Sequence, residues 1–528
     1  MNKTFDIHSS QGDLALNQGK YFEAVQEYLL ASKDLKGLSP KEQAEFWRKF
    51  GNAYFSLEDW DNARICYENT LFLYHDAEGI LSILGWLYYF YDADKSIAYY
   101  ERSLAIKLDE GSFATEAISI LKSGKYSQAQ IKAMLEDKVE LFRRKLLAEK
   151  PAFFHPKFDK EAGEKLSIAY ISSDFKSHAM MQFVLPLLEN HDQERFNIRL
   201  YSTTDEADKV TERIKATGLT FIDCQAMSNE ELADKIFSDG IDILIDLGGY
   251  THTRSFTMFY KPAPIQMQYL GFVNSLGIQE IDYIWADDFV LPENEADGYT
   301  EKPFYLPSGL HRFSFNEKEQ VLPELGEAPV KANGYITFGS FNDLSKLSEQ
   351  TLELWSRLLK AVPDSKLLIY RTNMFSHMKK EQIKQDFAGL GIPEDRLILR
   401  SDSLASHYQA YQLADIALDS LPFSGLTITI EQATMGIPTL TMPGSTMQSR
   451  GTASVNRVLG LDELIAKNED DFIRKGCDLA FDLDRISELR AGLRSKLFAS
   501  KLFQDEAGFA RAVEAGFERV WKEWLSSY

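Results

Sequence analysis

A spaced pattern of glycine, small and aromatic residues constrains the N-terminal part of the chain more strongly than any other feature. "GNAYFSLEDWDNARICYENTL" begins at Gly51, and "GWLYYFYDADKSIAYYERSL" begins 34 residues later, at Gly85. "GDLALNQGKYFEAVQEYLLA" begins 39 residues before Gly51, at Gly12. In each unit a small residue stands four positions before a tyrosine, as Ala63 stands before Tyr67. A repeat of this length is typical of stacked helical hairpins.

A period of 34 residues is that of the tetratricopeptide repeat, and such hairpins bury their apolar faces only against neighbouring repeats. "KDLKGLSP" would lengthen the loop between the first two units, and "AISILKSGKYSQAQIKAML" resembles a degenerate fourth unit or cap. We therefore predict an all-α tetratricopeptide-repeat domain over residues 1–148. An ordinary helical bundle is the alternative.

The pattern changes after "EKPAFFHPKFDKEAGEK", which predicts a linker over residues 149–164. Short apolar runs such as "KLSIAYISSDF", "FNIRLYSTT" and "IDILIDLGGY" then alternate with helical stretches, the pattern of a parallel sheet with crossover helices. A second set, including "YITFGSF", "SKLLIYRT" and "ADIALDSL", follows "EKEQVLPELGEAPVKANG". We predict two doubly wound α/β halves, 165–325 and 326–528, with a ligand cleft at the carboxyl ends of their strands.

Charge and the N-terminal sequence narrow the choice of partner and location. The 58 Lys and Arg residues against 79 Asp and Glu residues give a net charge of −21, which disfavours nucleic acid and anionic membrane surfaces as partners. Small anions remain candidates because a helix end can bind them without net positive charge. "MNKTFDIHSSQGDLALNQ" has no secretory apolar core, so we expect a cytoplasmic protein without membrane contact.

Neither a disulfide framework nor a metal site is predicted. Cys66, Cys224 and Cys477 are widely separated and form no CxxC pair. "DAD" from Asp92 and "DLD" from Asp482 are spelled like the motif that holds a divalent ion in some sugar transferases. Both occur in helical contexts where helix capping explains them better, so we expect no metal and no other cofactor.

"ALDSLPFSGLTITIEQATMGIPTLTMPG" reads as a strand, a turn, a helix and a second strand. Ser424 and Gly425 would form the turn, and Thr427 and Thr429 would lie in the first helical turn, whose free N–H groups suit a diphosphate. Glu431 could accept hydrogen bonds from a sugar diol or merely complement the helix dipole. The residues alone leave these two roles equal.

Four further side chains follow predicted strand ends or begin a helix near them. Lys346, with Asn342, could neutralise a departing phosphate or be a solvated surface lysine. His178 could take a proton from an acceptor hydroxyl, although a hydrogen-bonded structural histidine is at least as good an interpretation. His407 could contact a base, and an exposed helical histidine is the alternative.

Several motifs together resemble the catalytic region of the O-GlcNAc transferases, glycosyltransferase family 41. They are "IAYISSDFKSH", "DLGGYT", "KPAPIQMQYLGF", "DYIWADDFV", "FGSFNDLSKLSEQTLELWSRLLKAVPDSKLLI", "QLADIALDSLPFSGLTITIEQATMGIPTLTMPGSTMQSR" and "LGLDELIAKNEDDF". The resemblance covers about residues 165 to 525. It implies a GT-B fold of two Rossmann-like halves that binds a UDP-sugar in the cleft without metal. Inverting transfer of N-acetylglucosamine to serine or threonine hydroxyls of proteins would follow.

The same resemblance assigns roles by motif position. Lys346 would contact the diphosphate and assist the leaving group, and His178 or a phosphate oxygen of the donor would take the proton. The donor-binding residues would be Asn342, Lys346, His407, Gly425, Leu426, Thr427, Thr429 and Glu431. The acceptor side would comprise His178, Gln182, Thr251 and Gln266. The repeats would recruit a protein or peptide acceptor, and an oligomer is compatible with their exposed faces.

Four positions depart from the animal members of the family. Gln182 replaces a second histidine, Leu426 begins what is His-Thr-Thr in those enzymes, Asp343 replaces a glutamine, and Leu404 replaces a lysine. "SGLTITIE" is closer to the plant O-fucosyltransferases. A sibling transferase that uses GDP-fucose, or UDP-glucose with an asparagine acceptor, is therefore an alternative. A repeat scaffold without catalysis is the other.

Overall fold

The computed structural model describes residues 3–75, 77–156, 164–316, 321–372, 376–404 and 406–527. By their internal contacts, Met1–Ile120 and Met374–Gln385 form one compact unit, and Leu121–Asn373 and Asp386–Tyr528 form a second. Within the described part of the chain, no helix is both long enough and apolar enough to cross a lipid bilayer.

Antiparallel helical pairs build the first unit. Its helices are α1 (Lys3–Asn17), α2 (Tyr21–Ala31), α3 (Pro40–Ser56), α4 (Trp60–Leu73), α5 (Glu78–Tyr89), α6 (Ala93–Ile106) and most of α7 (Glu110–Ser123). The first part of α14 (His377–Gly389) joins them, because the Met378 amide donates to the Asp61 carboxylate at 3.2 Å. The helical repeat region predicted from the sequence is thus confirmed.

The repeated glycines are explained by the packing of α1 on α2, α3 on α4 and α5 on α6. Each glycine faces the ring of a buried tyrosine on the partner helix. A methyl group at Gly12 or at Gly51 would lie 2.7 Å from a ring carbon of Tyr28 or Tyr67, respectively. The helices approach this closely only because the glycines have no side chain.

Capping explains the two DxD sequences. Asp92 accepts a hydrogen bond from the Lys95 amide at the start of α6, at 3.0 Å. Asp482 accepts one from the Arg485 amide, at 2.8 Å, at the start of the helix that follows it. Both aspartates are N-caps, as the sequence analysis preferred.

The second unit contains two parallel sheets. The first has the order β3-β2-β1-β4-β5-β6-β7. Its strands are β1 (Leu166–Ser172), β2 (Phe196–Ser202), β3 (Thr220–Asp223), β4 (Ile243–Asp246), β5 (Ile265–Gln268), β6 (Tyr283–Ala286) and β7 (Lys302–Tyr305). Its associated helices are α8 (Gln128–Glu149), α9 (Ala179–Leu188), α10 (Lys209–Lys215) and α11 (Asn229–Ser238).

The second sheet has the order β10-β9-β8-β11-β12. Its strands are β8 (Thr337–Ser340), β9 (Lys366–Tyr370), β10 (Leu397–Arg400), β11 (Ile416–Leu418) and β12 (Thr439–Leu440). Its helices are α12 (Val330–Asn333), α13 (Glu349–Ala361), α14, α15 (His407–Tyr411), α16 (Thr427–Thr434), α17 (Gly451–Val458), α18 (Glu469–Phe481) and α19 (Leu483–Phe498). Every strand pair in both sheets is parallel, which confirms the predicted α/β class.

The last helix, α20 (Glu506–Ser526), returns from the second half to the first. Phe517 packs beside Phe304 of β7, and Glu514 accepts a hydrogen bond from the Asp192 amide at 2.8 Å. Just before α20, the Leu502 carbonyl accepts a hydrogen bond from the Phe313 amide. The chain therefore passes twice between the halves, and the two passages are bonded to each other.

Helix α8 packs with the first sheet's half. Gln128 donates to Asn274 at 2.8 Å, and Thr300 donates to Glu136 at 2.9 Å. The compact units accordingly divide near residue 120, whereas the sequence analysis ended the repeat domain at residue 148. The predicted linker, 149–164, includes residues 157–163, which lie outside the described residues.

Substitution of alanine for Gly51 should destabilise the first unit by about 1–3 kcal/mol, because its methyl group would overlap the Tyr67 ring. Gly79→Ala is the matched control, since nothing lies within 4 Å of a methyl group there. That change should be neutral or stabilise the helix by about 0.5–1 kcal/mol. Urea denaturation followed by circular dichroism measures both, and equal stability of Gly51→Ala and wild type would contradict the packing argument.

Candidate active site

Two turns of the second half meet because β8 and β11 are neighbours in the sheet. Asn342 and Lys346 follow the end of β8, and Ser424 and Gly425 follow the end of β11. The Lys346 ammonium donates to the Ser424 carbonyl at 3.1 Å and lies 4.3 Å from the centroid of the Phe423 ring. The structure thus brings together the lysine and the turn that the sequence analysis placed in one site.

A buried carboxylate fixes this turn. Asp419 accepts hydrogen bonds from the Gly425 amide at 2.8 Å and from the Ser424 hydroxyl at 2.6 Å. A methyl group on Gly425 would lie 2.7 Å from Ile428 and 3.2 Å from the Asn342 side chain, so close packing requires the glycine. Asp419 was not predicted as a site residue.

Helix α16 begins at Thr427, inside the predicted segment. Its N-cap residue is Leu426, whose side chain makes no capping hydrogen bond to the amides of the first turn. Several other helices of the chain are capped in that way, for example by Ser39 and Ser348. The uncapped amides and the positive end of the helix dipole are therefore left to a bound anion or to solvent.

Thr429, which the sequence analysis placed among the donor-binding residues, does not line the cavity. Its hydroxyl lies 2.8 Å from the Thr452 hydroxyl, its amide donates to the Leu426 carbonyl at 3.1 Å, and only 2% of the residue is exposed. The hydroxyl therefore joins α16 to α17, and the amide closes the first turn of α16. Thr427, two positions earlier, does line the cavity described below.

Glu431 is oriented by two neighbours on α15. It accepts a hydrogen bond from the Tyr411 hydroxyl at 2.5 Å, and its other oxygen lies 3.4 Å from Nε2 of His407. The His407 ring lies against Tyr408, with 4.1 Å between centroids, and is more than half exposed. Glu431 lines the cavity, whereas His407 is not among its lining residues.

The first half contributes the opposite wall through the ends of β1 and β4, which are also neighbours. His178 precedes α9, and its Nδ1 accepts a hydrogen bond from the Met180 amide at 3.3 Å. The same Nδ1 lies 3.5 Å from the Asp174 carboxylate. Thr251 follows β4 and donates to the Gly248 carbonyl at 2.9 Å. His178, Asp174 and Thr251 all line the cavity.

Two predicted acceptor-side residues lie within the first half's interior. Gln266, fully buried in β5, donates to the carbonyls of Met258 and Glu280 at 2.9 and 2.8 Å. Gln182 is buried in α9. Neither side chain lines the cavity, because the inward faces of their elements are taken up by packing.

The two walls enclose a cavity of ≈ 460 Å³, within the size range of small-ligand sites. Its lining combines charged and polar groups with an apolar part formed by Met180, Phe183, Leu270, Val273, Val290 and Met447. Eight predicted site residues line it: His178, Thr251, Asn342, Lys346, Gly425, Leu426, Thr427 and Glu431.

Sequence analysis missed two basic residues of this cavity. Arg371 directly follows β9, so the strand-end argument applied to Lys346 could have found it. His311 lies in irregular chain after β7, where no pattern points to it. Burial lowers the pKa of His311 to about 4, so its ring is neutral at pH 7. Its Nδ1 has no hydrogen-bond partner among the described residues.

The family model of glycosyl transferase family 41 matches residues 126–333 and 327–510. The chain belongs to glycosyl transferase family 41. It is 32% identical over 367 residues to a probable UDP-N-acetylglucosamine–peptide N-acetylglucosaminyltransferase SPINDLY of Solanum lycopersicum, and 31% identical over 385 residues to that of Arabidopsis thaliana. These alignments cover 68% and 70% of this chain but only 39% and 41% of the two relatives.

A relative named SEC, from Arabidopsis thaliana, is 28% identical over 384 residues. Among solved structures, an O-GlcNAc transferase variant of Thermobaculum terrenum superposes with a TM-score of 0.82 and 24% identity, covering 99% of this chain and 98% of that one. This family 41 chain therefore has the GT-B fold with N-terminal helical repeats that the sequence analysis predicted.

The charge on Lys346 should make anion binding in this cavity depend on pH. Burial lowers the pKa of Lys346 to about 8, against the opposing effect of Asp419 and Asp343, and Arg371 lowers it further. Lys122 is a further cation near Lys346. A bound diphosphate favours the ammonium form, so affinity for a diphosphate diester should fall as pH rises above 8, by up to about tenfold per pH unit.

Isothermal titration calorimetry between pH 7 and 9 measures this dependence. Lys346→Met should bind more weakly and lose most of the slope. A slope that persists in Lys346→Met would assign the titration to another group.

Proposed function

We propose that this chain is an inverting protein glycosyltransferase that moves N-acetylglucosamine from UDP-N-acetylglucosamine to serine or threonine hydroxyls of proteins. The observation that carries the proposal is the contact of the Lys346 ammonium with the turn that opens α16, at 3.1 Å from the Ser424 carbonyl. A cation and uncapped helix amides at one point suit a leaving diphosphate. Family membership and the printed names of the plant relatives support the substrate class.

In the proposed reaction an acceptor hydroxyl oxygen attacks the anomeric carbon from the face opposite the phosphate. The new C–O bond forms as the bond from that carbon to the phosphate oxygen breaks, and UDP leaves with the electron pair. Lys346 and the amides of Leu426 and Thr427 offset the growing negative charge. Preorganised donors of this kind contribute without reorganising during the reaction.

The hydroxyl proton has two destinations. When His178 Nδ1 carries its proton towards Asp174, 3.5 Å away, Nε2 is an acceptor and can take the hydroxyl proton. When Nδ1 instead accepts from the Met180 amide, Nε2 carries a proton, and the donor's phosphate oxygen is the remaining base. A role for His311 as base is unfavourable, because burial holds its pKa at about 4.

On the donor side, Glu431 is proposed to accept hydrogen bonds from the ribose hydroxyls. Tyr411 donates to one of its oxygens and His407 lies near the other, and each carboxylate oxygen can accept a further hydrogen bond from a ligand. His407 is proposed to lie against the base at the exposed rim. Asn342 and Gly425, which pack against each other, would line the phosphate position.

The donor test separates this proposal from its siblings. The purified chain would be incubated with a protein lysate in three separate reactions, one each with UDP-N-acetylglucosamine, UDP-glucose and GDP-fucose. Mass spectrometry of the acceptors should show an N-acetylhexosamine on serine or threonine. A hexose on asparagine or a deoxyhexose on serine would identify a sibling transferase, and no modification with any donor would leave the repeat scaffold as the function.

Replacement of Lys346 should abolish transfer while the fold persists. Lys346→Met keeps an unbranched side chain of similar length and removes the ammonium that lies over Phe423, so kcat should fall by about 10²–10³. Lys145→Met, at an exposed position on α8, is the matched control and should retain full activity. Initial rates measure the transfer activity, and thermal unfolding curves show whether each variant is folded. A Lys346→Met enzyme with normal turnover would contradict the assigned role.

A further inference from the structure

A second lysine is buried close to the candidate donor site. Lys122 is 5% exposed and lies in the last turn of α7, just inside the second compact unit. Two residues later, a methyl group on Gly124 would lie 3.1 Å from Pro422. This end of α7 is thus seated against the segment that leads from β11 to Ser424 and Gly425.

The cavity wall also contains a carboxylate side chain, which is unfavourable beside a bound diphosphate. Asp343 lines the cavity, and its carbonyl accepts the Lys346 amide at 3.0 Å. Its carboxylate accepts hydrogen bonds from the amide and the hydroxyl of Ser345, at 2.9 and 2.7 Å. Asp343 therefore caps the short turn that carries Lys346, but its charge would repel a neighbouring phosphate.

Lys122 and Arg371 are two cations whose charges act on Asp343, and the effect of Lys122 is the larger. Burial alone would raise the pKa of Asp343, yet the Lys122 charge and the Ser345 hydrogen bonds hold it below the usual range. Burial lowers the pKa of Lys122 to about 8, while Asp343 opposes this effect. Asp343 is thus ionised, and the Lys122 charge offsets its charge.

Resting on the proposed function, we propose that Lys122 is a positioning residue of the donor site: its ammonium neutralises Asp343 and leaves the Lys346 ammonium directed at the donor diphosphate. Without Lys122, Asp343 would compete with the ligand for Lys346 and would repel the phosphates. In this proposal the buried lysine offsets the charge of the aspartate that caps the turn.

Three variants test the pair. Lys122→Met removes the charge and keeps the aliphatic volume. Asp343→Asn removes the opposing charge and keeps a side-chain oxygen that can cap the turn. The third variant combines both changes. Affinity for UDP is measured by calorimetry, and kcat and KM are measured with UDP-N-acetylglucosamine, with Lys145→Met as the control.

Lys122→Met should weaken UDP binding about tenfold, because a partner of a buried charge pair is lost. Asp343→Asn alone should bind UDP at least as tightly as wild type. The double variant should return to within about threefold of wild type, since no unbalanced charge remains. A purely structural role for Lys122 would not be rescued by Asp343→Asn.

Two outcomes overturn the inference alone: UDP binding by Lys122→Met that equals wild type, or a double variant as weak as Lys122→Met. Thermal unfolding of all variants identifies a failure to fold, and the charge-neutral double variant keeps the comparison valid if Lys122→Met is unstable. Absence of UDP binding by the wild-type chain is distinguishable from these, because it would overturn the proposed function together with the inference.

Discussion

Parallel pairing of β8 with β11 is the constraint on which the candidate site depends. Phe338 pairs with Ile416 and Gly339 with Ala417, so the two strands end side by side. The chain between them forms β9 and β10 on the other side of β8. Successive strands are therefore added on one side of β8 and then on the other. The loops after β8 and β11 leave in opposite directions and open a crevice between them. In the first half, β1 and β4 create the same geometry for His178 and Thr251.

The polar groups of the candidate site differ in how deeply they are buried. Asp419 lies deepest and has its oxygens bonded to the turn, so it shapes the backbone and is closed to ligands. Lys346 is partly buried, and Glu431 faces the cavity with its rear held by Tyr411. Groups that are anchored from behind and open in front lose little freedom on binding, which is the basis of preorganisation.

The sequence was sufficient for the architecture and for most of the cavity wall. The alternation of short apolar strands with helices shows where each strand ends. Lys346, Gly425, Thr427 and His178 could therefore be predicted as site residues, because they follow those ends. The same reasoning could not tell that the Thr429 hydroxyl lies against the Thr452 hydroxyl, since that contact joins residues 23 positions apart on two helices.

Long-range contacts account for the other differences. Gln182 and Gln266 match family positions, yet both lie in the interior of the first half, because burial depends on neighbours that a local pattern does not reveal. Helix α8 continues the helical pattern of the repeats and was grouped with them, but its hydrogen bonds join the first sheet's half. His311 lies in irregular chain, where no periodicity marks an inward-facing residue.

The return of α20 to the first sheet's half has a mechanical consequence. The chain crosses between the halves near Phe313 and again near Leu502, and the Phe313 amide donates to the Leu502 carbonyl, so the two crossings lie side by side. A rotation of one half against the other about this point can keep that hydrogen bond. Sliding of the halves past each other at this point would break it.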